Sequence, residues 1–573
     1  MRIRIYVRIL IAGMVFLAGG LFYVQIIKYD QYRVMSEENR LKVIPLMAPR
    51  GNIYDRNGEV LVKDDLSFDV SIIYGRVRKY KSELVDLLSG VLEVGKGDLE
   101  KRIDGCKWRP YSPMVIVKDI GAGSAIRLEE IASDYSGLLV QVSTKRRYIH
   151  GKTAANVIGY LGLINRSELE RLKPYGYRIN DLMGRSGIEK QYDNYLRGIH
   201  GGKQIEVDHL GREVLTIGYK EPVPGRNVFL TIDYELQAFC EDLLSDKKGA
   251  IVVLNPENGA VLAMASAPSY DPGIFIDSKK SGEVGGLLKD ADYPLINRAI
   301  SGVYPPGSVF KLVIAAAALE TKKATAETSA VCEGAFTLGR KTFKCWKKSG
   351  HGYQEMTDAI KNSCNVYFYR LGLLVGVDDI AKYAKKFGFG HKSGIDIPGE
   401  STGIVPSRAW KKKRFKDNWY KGETVNYAIG QGYLLVTPLQ IARMMSVFAN
   451  RGYLVKPYLV DNIGGIKVKK EKKESLGMAS RTIDIAREGL KRCVNDKRGT
   501  GMKARQSDII VAGKTGTAQT SRGKNHGWFA GFAPFEKPRL TVVVFDEHGG
   551  KGGYYAAETA GKVFKEARRL GII

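Results

Sequence analysis

The chain of 573 residues has no internal repeat and no low-complexity tract long enough for extended disorder. That excludes repeat arrays and long unstructured arms. Histidine is scarce, at 7 residues, and cysteine at 6, so any site needing either must draw on few positions. Acidic residues are in deficit: 61 stand against 89 basic ones, a formal net charge of +28. One uncharged apolar stretch, Ile9 to Ile27, lies between Arg2, Arg4 and Arg8 on one side and Lys28 on the other. It has about the length a helix needs to cross a bilayer. The arginines predict an N-terminus inside and the rest of the chain outside the cytoplasm. The stretch is long for the core of a signal peptide, and no small-x-small cleavage site follows, so an uncleaved anchor is expected. Nucleic acid is therefore not an expected partner. The densest basic clusters, Lys411–Lys416 and Lys467–Lys473, suit anionic lipid heads or an anionic wall polymer, or are plain solvated surface.

A chain this long predicts two or three domains. The turn-rich segment Ala48–Gly58 carries Arg50, Asp55 and Arg56, and a second glycine-punctuated segment spans Gly184–Tyr192. Pro222-Val-Pro-Gly225 reads as a boundary. The expected division is a tail over 1–8, an anchor over 9–28, a pedestal over 29–225 and a catalytic domain over 226–573. Gly249–Leu254 and Ala260–Ala265 around Asn255-Pro-Glu-Asn-Gly259 read as a hairpin. Leu540–Phe545 reads as a further strand, and Ala556–Leu570 as a helix. Strands at both ends enclosing helices predict one sheet whose ends pair, an α+β layout.

Three short motifs follow in order: Ser308-Val-Phe-Lys311, Ser363-Cys-Asn365 and Lys514-Thr-Gly516. SxxK also occurs at Ser245–Lys248 and Ser521–Lys524, so setting has to decide. Ser308 follows Tyr304-Pro-Pro-Gly307 and opens the Ala-rich run Val309–Leu319, which predicts a buried helix with Ser308 in its first turn. Residues i and i+3 share a helix face, so the Ser308 hydroxyl and the Lys311 amine are expected to meet. A serine needs a base to take its proton. A neutral Lys311 supplies one, and burial beside a second cation, Lys514, favours that state. Ser363, opening a predicted helix over Ser363–Leu374, can pass a proton on, and Asn365 can donate to a substrate carbonyl. Val511–Thr517 reads as a strand whose glycines let another backbone come close. The N–H groups of Ser308 and Thr517 would form an oxyanion hole.

The triplet resembles the motif set of penicillin-recognising serine enzymes. Ala48–Gly58, Ile158–Gly162, Gly184–Tyr192 and Asn297–Ser308 are similar to signatures of class B penicillin-binding proteins. Trp419–Thr424, Ala428–Gly432 and Thr437–Gln440 resemble the penicillin-binding protein 2 (MrdA) branch. The resemblance implies a transpeptidase domain, an antiparallel sheet flanked by helices, on an elongated α/β pedestal with one transmembrane helix. It implies acylation of Ser308 by a peptidoglycan stem peptide at D-Ala-D-Ala, then transfer to a neighbouring strand's amine during cell elongation. Lys311 would be the base and Ser363 the relay. Lys514 and Thr515 would hold the substrate carboxylate beside Gly516 and Thr517, with Asn365, Trp419 and Thr424 also at the substrate. Implied partners are β-lactams, a RodA-type membrane glycosyltransferase and an MreC-type scaffold at the inner membrane. Three other readings stay open: a hydrolase of the same fold (carboxypeptidase or β-lactamase), a septal enzyme, and a non-catalytic sensor or scaffold.

Cys332, Cys345, His351 and Cys364 cluster around the second motif, with twelve, five and twelve residues between them. Three thiols and an imidazole make a tetrahedral zinc set. A Cys332–Cys345 disulfide is the competing reading outside the cytoplasm, but it leaves Cys364 and His351 unexplained. The resemblance adds that some branch members hold zinc near this place, with carboxylates at some ligand positions. With four protein ligands such a zinc would be structural. Cys106, Cys240 and Cys493 read as buried thiols, and no organic cofactor is expected.

Overall fold

The computed structural model describes residues 2–33, 41–179, 181–207, 213–277, 280–520, 523–550 and 552–573. Its chain forms two compact units, Met1–Gly51 with Asp64–Arg147 and Arg197–Gly225, and Asn52–Lys63 with Tyr148–Leu196 and Arg226–Ile573. A single boundary at Gly225 was the expectation. Instead two stretches of the pedestal sequence, 52–63 and 148–196, fold with the second unit.

In the first unit, helix α1 (Arg2–Phe22) runs on into a π-turn over Tyr23–Ile27. Ile3–Ile27 has a mean hydropathy of 2.1, and none of it is buried. Among the described residues this is the one helix long and apolar enough for a membrane crossing, and it starts earlier than Ile9. Strand β1 (Leu41–Leu46) pairs with β5 (Gly201–Val207), which pairs with β6 (Glu213–Lys220). The later part of β2 (Val60–Ile72) pairs with β3 (Met114–Ile120) and β4 (Leu138–Tyr148). Helices α2 (Lys81–Leu92), α3 (Lys96–Asp104) and α4 (Ala122–Ala132) join these strands through Val70, Ile72, Leu84, Leu88, Leu99 and Leu128. Leu84, Val85 and Leu88 are the buried face of α2, at helical spacing.

The second unit is built on a five-stranded antiparallel sheet. Its strands are β7 (Gly249–Leu254), β8 (Val261–Ala267), β9 (Ala512–Ala518), β10 (His526–Ala533) and β11 (Leu540–Asp546), in spatial order β8-β7-β11-β10-β9. The predicted pairing of the two ends is present: Val252 lies opposite Val543 in β11. Both faces are covered, so β7 and β11 read as unbroken apolar runs and not as alternation. Ile251, Val253, Val542 and Val544 face a core shared with α5 (Tyr234–Asp242) and a C-terminal helix. Val252, Leu254, Val543 and Phe545 belong to the larger core on the other side.

That larger core holds α6 (Lys311–Glu320), α7 (Asn365–Val375), α8 (Val377–Lys386), α9 (Pro438–Ala449) and α10 (Ser480–Asn495); α11 (Gly552–Arg569) is the C-terminal helix. Thr437-Pro-Leu-Gln440 proves to be helix-start chemistry. The Thr437 hydroxyl accepts from Gln440 N–H, the Gln440 side chain accepts from Thr437 N–H, and Pro438 takes the first position. Every residue of α9 is buried, so this cap lies where no water could replace it. Asp55 of the Ala48–Gly58 segment is likewise structural, its carboxylate accepting N–H bonds from Asn57, Glu59 and Tyr234.

Candidate active site

Ser308 lies in a 3-10 turn, Gly307–Phe310, that leads directly into α6. Ser308 was expected in the first turn of this helix; that turn is 3-10, and the α-helix proper begins at Lys311. The turn is gripped by backbone on two sides. A Cβ on Gly307 would stand 2.6 Å from Thr517 O, and one on Gly516 would stand 2.9 Å from Pro306 O. Gly307 N–H donates to Gly430 O at 2.9 Å, and a Cβ on Gly430 would stand 2.1 Å from Gly307 O. Gly307 (φ +56°) and Gly430 (φ +72°) are also in the left-handed region, where side chains are strained. Trp528 Nε1 donates to Pro305 O at 3.0 Å and pins the approach segment. Gly307, just before the first motif, and Gly516 of the third therefore seat the edge strand β9 against the serine turn.

Lys311 is wholly buried. The i to i+3 bond expected with Ser308 is not formed among the described residues. The amine faces the second motif instead, 2.8 Å from Ser363 O, 2.7 Å from Asn365 Oδ1 and 3.3 Å from Ser363 Oγ. Burial, and after it the cation of Lys514, hold the Lys311 amine well below the usual lysine range. A neutral amine has two N–H donors and one lone pair, which matches two carbonyl oxygens and one hydroxyl. Lys514 is also fully buried, its pKa lowered by burial, and its amine donates to Thr515 O at 3.0 Å. The two lysines thus sit without a carboxylate partner among the described residues.

The predicted helix start at Ser363 is corrected. Ser363 and Cys364 form the turn between Met356–Lys361 and α7, which begins at Asn365. Ser363 has φ +53°, a conformation that costs a non-glycine residue on the order of 1–3 kcal/mol. The turn is fixed by Ser363 N–H to Ile360 O and Cys364 N–H to Ala359 O. It aims the Ser363 hydroxyl at Lys311 and brings the Cys364 thiol to Cys332, Cys345 and His351. On β9, Thr517 is exposed on the free edge of the sheet, where an extended peptide can add as a strand. Thr515 is buried, and its hydroxyl is given to Thr500 Oγ1 at 3.1 Å. Trp419 Nε1 donates to Thr424 Oγ1 at 2.8 Å, and Trp419 lines a 200 Å³ cavity with Glu423, Asn426, Tyr427 and Tyr433. Tyr427 stacks on Phe310, two residues beyond Ser308.

The four donors read as a zinc set converge. One donor atom from each of Cys332, Cys345, His351 and Cys364 lies within 4.8 Å of all the others. His351 Nδ1 stands 3.6 Å from Cys332 Sγ and 3.5 Å from Cys345 Sγ. Zn–S and Zn–N bonds of about 2.3 and 2.0 Å at a tetrahedral angle put such atoms about 3.5 Å apart, so the donor set fits. All six cysteines are free and buried. The Cys345 and Cys364 thiols share a hydrogen bond, which lowers the pKa of the former and raises that of the latter.

The decoys separate. Ser245 is exposed after α5, and Lys248 is spent on Asp292; Ser521 lies outside the described residues. Of the basic clusters, Lys411 is buried and paired with Glu423 and Asp417. The sequence reading missed Trp528 and Thr500, which act by holding backbone or another side chain. A lone tryptophan or threonine carries no local signal of that.

Residues 249–567 match the penicillin-binding protein transpeptidase domain, and 45–230 match the penicillin-binding protein dimerisation domain. The chain is 34% identical to the peptidoglycan D,D-transpeptidase MrdA of Haemophilus influenzae, over 96% of this chain and 89% of that one. The chain is a class B penicillin-binding protein of the penicillin-binding protein 2 branch. Penicillin-binding protein 2 of Helicobacter pylori, solved in complex with MreC, superposes at a TM-score of 0.84 with 31% identity, over 93% of this chain and 99% of that one. A solved peptidoglycan synthase complex that coordinates polymerization and crosslinking gives 0.76 and 32%, over 100% of this chain and 99% of that one. In this penicillin-binding protein, Gly430→Ala is expected to slow penicillin acylation at least tenfold and to lower the melting temperature. Gly376→Ala is the control, because Gly376 has φ +83° but open space around it. Equal loss in both variants would assign the effect to backbone strain and remove the role given to the Gly307–Gly430 contact.

Proposed function

We propose that this chain is a single-pass membrane D,D-transpeptidase that cross-links peptidoglycan stem peptides during cell elongation, with its N-terminus inside and its catalytic unit outside the cytoplasm. The observation that carries the reading is the wholly buried Lys311 amine between Ser363 and Asn365, next to the turn that bears Ser308. Ser308 Oγ attacks the carbonyl carbon of the penultimate D-Ala and its proton passes to the neutral Lys311. The peptide C–N bond breaks, and the terminal D-Ala leaves as an amine with the proton returned through Ser363. An amine of a second stem peptide then attacks the ester carbonyl carbon, Lys311 takes up its proton and passes it to Ser308 Oγ as the ester C–O bond breaks, and the new peptide bond leaves Ser308 and neutral Lys311 restored. The N–H groups of Ser308 and Thr517 hold the oxyanion. Lys514 answers the substrate carboxylate, and Thr517 on the edge strand binds alongside Gly516. Thr515 acts from behind through Thr500, and Asn365 takes the stem-peptide amide. Trp419, fixed by Thr424, lines the neighbouring cavity. A β-lactam enters the same first step, and its acyl group stays on Ser308.

The likeness to structures containing MreC and a peptidoglycan synthase supports an MreC-type scaffold and a RodA-type glycosyltransferase as partners. Cys332, Cys345, His351 and Cys364 would hold a structural zinc. The ion supplies no chemistry to the substrate; it would fix the turn in which Cys364 stands between Ser363 and Asn365.

Labelled penicillin on the purified full chain, mapped by mass spectrometry, is expected to give a stable adduct on Ser308 that Ser308→Ala abolishes. No adduct on Ser308 would sink the transpeptidase reading, and rapid release of hydrolysed drug would assign a β-lactamase. Elemental analysis is expected to find about one zinc per chain, lost in Cys345→Ser. A metal-free preparation with unchanged melting temperature would end the zinc proposal.

A further inference from the structure

The catalytic reading leaves unused a cavity of 260 Å³ in the second unit, walled by the end of α8, the loop after it, α9 and the strands Tyr453–Leu454 and Glu474–Ser475. It is smaller than the roughly 300–1,000 Å³ of drug-sized sites, which suits a small head group. At its base lies Arg443 of α9, 8% exposed. Arg443 Nε donates to Val455 O at 2.9 Å, one bond for a guanidinium with five N–H donors. No carboxylate comes within ion-pair distance of it among the described residues. Glu400, the nearby buried acid, is already engaged by Ser393 and Gly394 N–H groups at 2.6 and 3.1 Å. The guanidinium lies over Gly388, where a Cβ would stand 2.9 Å from Nη1, so a larger residue at 388 would close the space it occupies.

Lys385, Lys386 and Lys392 line the same cavity, and Glu474 is its one acidic wall residue. None of these lysines has a carboxylate within ion-pair distance among the described residues; Lys386 meets only the Tyr383 ring, at 5.6 Å. A surplus of three positive charges around a small space, with a buried planar fork at its base, is more than a monoanion needs. A phosphate monoester carries about two negative charges at neutral pH, and its oxygens accept the paired N–H bonds that arginine offers.

We infer that the cavity over Arg443 is a binding site for a phosphate or diphosphate dianion, separate from the serine site. The chemistry is the same whether the group is a lipid head or a soluble phosphate. The test uses the full chain in nanodiscs of neutral lipid, titrated calorimetrically at fixed ionic strength with inorganic pyrophosphate, with short-chain phosphatidic acid and with acetate. Pyrophosphate is expected to bind at least tenfold tighter than acetate. Arg443→Met and the surface pair Lys385→Ala/Lys392→Ala are each expected to weaken it by about tenfold or more, the loss of one or two charge-assisted bonds. The surface pair should fold normally and keep its rate of penicillin labelling. Stronger binding of phosphatidic acid than of pyrophosphate assigns a lipid source, and weaker binding a soluble one. Pyrophosphate binding no tighter than acetate, or unchanged in the lysine pair, overturns the site.

Discussion

Two lysine amines are fully buried in this protein without a carboxylate beside either among the described residues, and the rest of the catalytic unit is arranged around that constraint. A charge left unpaired in an apolar interior costs several kcal/mol, and a lysine escapes the cost by giving up its proton. Lys311 is placed to do so. It sits at the head of α6, whose next seven residues, Leu312–Ala318, are all buried, so water cannot reach it from the helix side. On the open side it meets the two carbonyl oxygens and one hydroxyl that a neutral amine can satisfy. The second lysine supplies repulsion that favours the same state. The sheet contributes by delivering Lys514 on an edge strand, and that strand reaches the serine turn only because glycine stands at 307 and 516.

The second motif joins this constraint to a separate one. Ser363 takes a left-handed conformation that no local hydrogen bond of its own side chain rewards. Such strain persists where the surroundings over-determine it. Here Cys364, the next residue, turns its thiol into the Cys332–Cys345–His351 cluster while Asn365 opens α7. The strained turn thus lies between a sulfur cluster on one side and the Lys311 amine on the other. This gives a physical reason for the middle residue of the motif to belong to the Cys332–Cys345–His351 cluster.

Much of this was legible in the sequence. The strands at the two ends of the catalytic domain predicted the sheet, and the apolar run after Ser308 predicted the buried helix that its turn leads into. The four zinc-type donors were legible as a cluster because they are rare in a chain with so few cysteines and histidines. Other features depend on contacts across the fold and leave no local trace. Gly430 matters through a carbonyl more than a hundred residues away, and Lys311 turned to Ser363 and Asn365 instead of Ser308 because tertiary partners outbid helical spacing. The interleaving of 52–63 and 148–196 with the second unit is equally invisible, since it rests on contacts across the fold and not on a local pattern. The Thr437–Gln440 signature was legible as a pattern, yet its work is to cap a buried helix.

The central claim is that Lys311 is neutral when it meets the substrate, and the pH dependence of acylation tests it most directly. Only the deprotonated amine can accept the Ser308 proton, so the rate at saturating fluorescent penicillin rises with pH through the Lys311 pKa and then levels. Burial and the Lys514 cation both lower that pKa, so the wild-type plateau is expected well below the ordinary lysine value of about 10.4. Replacing Lys514 with Gln removes the repulsion, which favours the protonated amine and should move the rising limb to higher pH. A limb at the ordinary lysine value in the wild type, or one that Lys514→Gln leaves in place, would contradict the account.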